Sequence, residues 1–109
     1  MTEKIPASGH LRIWRYRVAA GQRKAFVHHY STEGTWTQLF QRADGYLGTT
    51  LWQDADDENL WYTQDHWRNE TNFRHFQEQY AGVYAELDKE MEGLTVEETF
   101  LGACNRVDS

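Results

Sequence analysis

A chain of 109 residues with a formal charge of −6 has room for one domain and one core. Its acidic balance, with no basic stripe, argues against nucleic acid and against anionic membrane surfaces. Cys104 is the single cysteine, so no internal disulfide is available and a reducing cytoplasm is the expected compartment. No apolar run approaches the roughly 20 residues of a membrane helix, so a soluble protein is expected.

Residues 1–9 read as a loose leader with no secretory signal, followed by one domain over 10–104 and a tail over 105–109. HLRIWRYRVAA, from His10 to Ala20, is the first predicted strand. Trp14, Tyr16 and Val18 share one face, and Leu11, Ile13, Arg15 and Arg17 the other, so both faces look covered. After Gly21 a helical repeat runs through Phe26, His29, Tyr30, Trp36, Leu39 and Phe40. Thr32 and Gly34 lie within it, which leaves one kinked helix or two in succession.

Tyr46–Gln53 and Leu60–Trp67 alternate as strands across an acidic turn and predict a hairpin, with Tyr46, Gly48, Thr50 and Trp52 on one side. The turn has neither the glycine nor the glutamate that a calcium-binding loop needs at its sixth and twelfth places. Trp61, Thr63, Asp65 and Trp67 point to a single face of the third strand. Asn69 then caps a second helical stretch, about Glu70 to Glu92, striped by Phe73, Phe76, Tyr80, Val83, Tyr84, Leu87 and Met91, with Gly82 the expected break. Gly93 ends it, and Thr95–Cys104 is the last strand.

The order β-α-β-β-α-β with right-handed crossovers predicts an α+β, ferredoxin-like fold: a four-stranded antiparallel sheet with its helices on one face. The uncovered face still carries apolar residues, so a homodimer packed through that face is expected.

Trp67 closing the third strand, Asn69 as cap and Phe73 six residues beyond the Trp resemble the antibiotic biosynthesis monooxygenase family. The last strand, with Glu97-Glu98-Thr99-Phe100-Leu101-Gly102, is similar too, and the likeness spans about residues 11 to 104. It implies a dimeric α+β barrel. It also implies, in some members, oxidation of phenols or quinols by oxygen with no cofactor. In that type an Asn lies four residues before the Trp and a Tyr six after it; Thr63 and Phe73 stand at those places here. A related branch opens haem, but its Asn, Trp and His positions hold Trp14, Phe76 and Glu86, so that ligation is not expected.

The chemistry therefore centres on an aromatic pocket between sheet and helices. Trp67, Phe73, Phe76 and Trp14 are its expected walls as well as core residues. Thr63 is either a ligand-orienting hydroxyl or a β-preferring filler. Asp65 is either a buried base with a raised pKa or the partner of a nearby Arg or Lys at the sheet rim. His29 or His75 is expected to border the pocket as a proton carrier. His28 and His29 point about 100° apart on a helix, and His66 and His75 lie on different elements, so no metal site is expected. The expected partner is a small aromatic molecule, and no cofactor is implied. The rival reading is a non-catalytic binding or stress-related dimer of the same fold.

Overall fold

The computed structural model describes residues 8–108. The elements are β1 (His10–Val18), α1 (Arg23–Tyr30), α2 (Thr35–Phe40), β2 (Tyr46–Gln53), β3 (Leu60–Trp67), α3 (Glu70–Gln79), α4 (Ala81–Glu90) and β4 (Thr95–Asn105). The four strands form one antiparallel sheet in the order β2-β3-β1-β4. This is the ferredoxin-like arrangement that the alternation and helical repeats predict.

Each helical stretch is divided in two. Ser31 leaves the helix in an extended conformation (ψ 175°), and the chain turns back so tightly that a Cβ on Gly34 would lie 2.6 Å from the His29 carbonyl oxygen. Only glycine fits that approach. Gly34, not Thr32, stands at the N-cap of α2, and Thr37 Oγ1 donates to the Gly34 carbonyl at 2.9 Å. The second break falls at Tyr80 (φ −114°, ψ 20°) instead of Gly82. The Tyr80 ring packs on Phe76 at 5.5 Å and its hydroxyl donates to the Arg42 carbonyl at 3.3 Å, tying the break to the opposite connection. Asn69 caps α3 as its residue type predicts, its Oδ1 accepting from the Asn72 N–H at 2.8 Å.

The expected placing of Tyr46, Gly48, Thr50 and Trp52 on one side of β2 is overturned. A register shift lies between Tyr46 and Gly48, and Gly48 has φ +140°, a conformation open to glycine. The bulge moves every later residue to the opposite face. Tyr46, Thr49 and Leu51 stand opposite Trp67, Asp65 and Thr63, while Thr50 and Trp52 pair with Gln64 and Tyr62 on the other side.

The core is built from rings on the helix side of the sheet. Phe26 and Trp67 are essentially inaccessible, with exposures of 0% and 1%. Phe26 stacks on Tyr30 at 4.4 Å, and Trp67 receives Phe40, Tyr46, Phe73 and Phe76 at centroid distances of 6.1, 5.3, 5.5 and 5.4 Å. Tilted and edge-on rings at this spacing add to the area each one buries. The helix-free face bears Leu11, Ile13, Tyr62 and Trp52, the last 54% exposed.

Most of the leader expected over 1–9 lies outside the described residues. At the described end Gly9 is tied down: its N–H donates to the Trp67 carbonyl at 2.9 Å, and its own carbonyl accepts from the Arg106 N–H at 2.9 Å. The last strand runs one residue past Cys104, to Asn105. Among the described residues no helix is long and apolar enough to cross a membrane.

Candidate functional site

The β1–β3 register sets Arg12 opposite Asp65 and Trp14 opposite Thr63, so these four side chains share the helix-facing side with Trp67. Over them lie Phe40 of α2, Phe73 and Phe76 of α3, and Tyr84 of α4. Between the two layers are two adjoining chambers of about 220 and 240 Å³. Both are lined by Trp14, Phe40, Asp65 and Tyr84, so Asp65 stands at the waist. Together they reach the lower part of the range of small-molecule sites, about 300–1,000 Å³.

The first chamber adds Tyr16, Trp36, Thr63, Asp88 and Glu98, and the second adds Arg12, Trp67, Phe73, Phe76 and Gln77. The structure therefore brings Trp14, Thr63, Asp65, Trp67, Phe73 and Phe76 to one cavity. His29 does not join them: its Nδ1 is hydrogen-bonded to Thr35 Oγ1 (2.8 Å) at the α1–α2 junction, outside both chambers. Helical spacing placed it on the inward stripe, but the break at Ser31 makes it bridge two helices. His75 is exposed on α3.

Asp65 is held by a relay, not by an ion pair. Thr49 Oγ1 donates to Asp65 Oδ1 at 2.8 Å. Because Thr49 has a single hydroxyl proton, the Tyr46 hydroxyl is the donor in its own hydrogen bond with Thr49. Burial lifts the Asp65 carboxyl from its ordinary 3.8 to about 6, against the opposing pull of the Thr49 hydrogen bond and the Arg12 charge. It is mostly ionised at neutral pH and a far better proton acceptor than a surface carboxylate. No carboxylate of Asp65 lies within ion-pair distance of Arg or Lys among the described residues, so the rim-pairing alternative is not what the structure adopts.

The phenols around it stay protonated. Burial raises the Tyr16 hydroxyl well above its usual range and pushes Tyr84 up to about 12. Thr63 is buried, and its hydroxyl is hydrogen-bonded to that of Tyr16 at 3.2 Å. The indole N–H of Trp67 is buried with no acceptor among the described residues. Within those residues no group of three or more His, Cys, Asp or Glu is placed to hold a metal ion.

Among the cavity-lining residues that sequence reasoning missed are Arg12, Thr49 and Tyr84. Arg12 and Tyr84 carried a signal: Arg12 lies two residues before Trp14 on the same strand face, and Tyr84 lies on the apolar stripe of the second helical stretch. Thr49 carried none, because the bulge at Gly48 inverts its face.

Comparison with known proteins agrees with the fold. Among solved structures, a mutant of SnoaB, a cofactor-independent oxygenase from Streptomyces nogalater, superposes with a TM-score of 0.73 at 15% identity, covering 94% of this chain and 96% of its own. A monooxygenase from the gene ActVA-Orf6 of Streptomyces coelicolor, in complex with nanaomycin D, gives 0.66 at 15% identity over 98% and 96%. A structure from Bordetella bronchiseptica described as a "putative antibiotic biosynthesis monooxygenase" gives 0.68 at 19% identity over 92% and 98%. At these identities the likeness establishes the fold alone. No curated protein matches the sequence. The sequence profile described as antibiotic biosynthesis monooxygenase matches residues 10–86, most of the chain and nearly all of the cavity-lining residues, and the protein belongs to that family.

Proposed function

We propose that the cavity binds a small phenolic or quinol-type aromatic molecule and oxygenates it with molecular oxygen, without a cofactor. The observation that carries this reading is Asp65: a carboxylate at the waist of an aromatic cavity, with a proton affinity near that of an imidazole. Asp65 takes the phenolic proton, and the resulting phenolate supplies the electrons that reduce oxygen. One oxygen atom replaces a ring hydrogen to give the quinone and the other leaves as water, so substrate and oxygen together balance the reaction. Trp14, Trp67, Phe73 and Phe76 hold the ring, and exclusion of water strengthens every interaction with the developing charge. Thr63 orients the ligand hydroxyl. The ligand-bound ActVA-Orf6 protein supports a small-molecule site in this fold.

A specific observation favours the rival, a non-catalytic binding protein. Thr63 already bonds to Tyr16, and Phe73 has no hydroxyl to offer. Tryptophan-fluorescence quenching by a panel of phenols and quinols, followed by oxygen uptake, separates the two readings. Quenching with oxygen consumption that Asp65→Asn abolishes supports the oxygenase. Quenching alone selects the binding protein, and no quenching overturns both.

The same reading includes a homodimer. Leu11, Ile13, Tyr62 and Trp52 make an apolar surface on the helix-free side that a second copy would cover. Sedimentation of a single monomeric species at micromolar concentration would overturn it. The exposed thiol of Cys104 suits a reducing cytoplasm.

A further inference from the structure

We propose that Arg12 anchors an anionic oxygen of the ligand, so that the cavity selects a hydroxylated aromatic acid over the neutral phenol of the same ring. This rests on the reading of the cavity as an aromatic-ligand site and names the class of ligand within it.

Arg12 lines the second chamber, and two rings fix its guanidinium: its central carbon lies 3.9 Å from the centroid of Phe73 and 4.7 Å from that of Phe100. Such contacts use the faces of the guanidinium and leave the N–H donors at its edge available. Arg17, Arg23 and Arg74 each hold a carboxylate within 4.0 Å. Arg12 holds none among the described residues, nor does it make a hydrogen bond there.

The carboxylates that influence it are already engaged. Glu70 accepts from Arg74 at 2.6 Å and from Asn105 Nδ2 at 3.1 Å, and Asp65 Oδ1 accepts from Thr49. Loss of hydration is the largest influence on Arg12, and it lowers the guanidinium's affinity for its proton. A cation that is partly dehydrated, held rigidly and supplied with free donors is a receptor for a planar carboxylate, which meets it through two charge-assisted hydrogen bonds.

The two chambers differ in charge. Asp65 is common to both, but the first adds the carboxylates of Asp88 and Glu98, whereas the second adds the Arg12 guanidinium. An acid group therefore enters the second chamber, and the ring hydroxyl points back towards Asp65 at the waist.

Isothermal titration with 6-hydroxy-2-naphthoate and 2-naphthol, which share ring and hydroxyl and differ in the carboxylate, tests the inference. The wild-type protein should bind the acid about tenfold tighter or more, with the preference eroding as salt rises. Arg12→Gln should bring the two affinities together while 2-naphthol binding persists, and Arg12→Lys should keep part of the preference. Equal affinities in the wild type, or a preference that survives in Arg12→Gln, overturn the role of Arg12 and leave the aromatic cavity standing. Failure of both compounds to bind the wild type overturns the cavity reading itself. Should Arg12→Gln not fold, equal affinities in the wild type, or a preference left whole in Arg12→Lys, still overturn the role of Arg12.

Discussion

Replacing Asp65 by Asn removes a charge from the waist of the cavity and keeps an oxygen that can accept from Thr49 Oγ1. Raising the carboxyl from 3.8 to about 6 means that ionising it in the folded chain costs up to about 3 kcal/mol. The folded state holds the proton more tightly than the unfolded chain does. The stability linked to this group is therefore fully present below about pH 4 and lost as pH rises through about 6. Asp65→Asn has no such loss. Urea unfolding at fixed protein concentration should find the two proteins similar at pH 4, and the variant more stable by about 1–3 kcal/mol at pH 8. A difference that stays constant from pH 4 to 8, or a wild type that gains on the variant as pH rises, would refute the assignment of a dehydrated carboxyl at this position.

Trp67→Ala should destabilise the fold by about 3–5 kcal/mol, read from the urea midpoint, because the side chain is buried among four rings. Under conditions where it stays folded, ligand quenching should be lost. Thr49→Val removes a hydrogen bond that favours ionised Asp65, so the acid limb of the oxygen-uptake profile should move above pH 6. An unmoved limb would exclude Asp65 as the base. Asn69→Ala should cost about 1 kcal/mol in thermal or urea unfolding by leaving the Asn72 N–H without its cap.

Much of this fold is legible in the linear chain because its signals are local. Alternation in Leu60–Trp67 and the cap at Asn69 rest on dihedral preferences and hydrogen bonds between residues three apart, and they survive folding unchanged. The period of two also carries Thr63, Asp65 and Trp67 to one face of β3, which is why that strand's share of the cavity wall could be named in advance, whereas only the β1–β3 register sets Trp14 beside them. What folding alone settled are events that depend on a neighbour distant in sequence. The bulge at Gly48 exists only against β3, and it turns Thr49 inward to hold Asp65. The break at Tyr80 accompanies a hydroxyl reaching the Arg42 carbonyl, and His29 is drawn to Thr35 by the turn at Gly34. Arg12 reads as a surface charge until Phe73 and Phe100 close on it from two other elements. Burial and charge at a site are properties of what surrounds a residue, and a chain written in one dimension does not contain its surroundings.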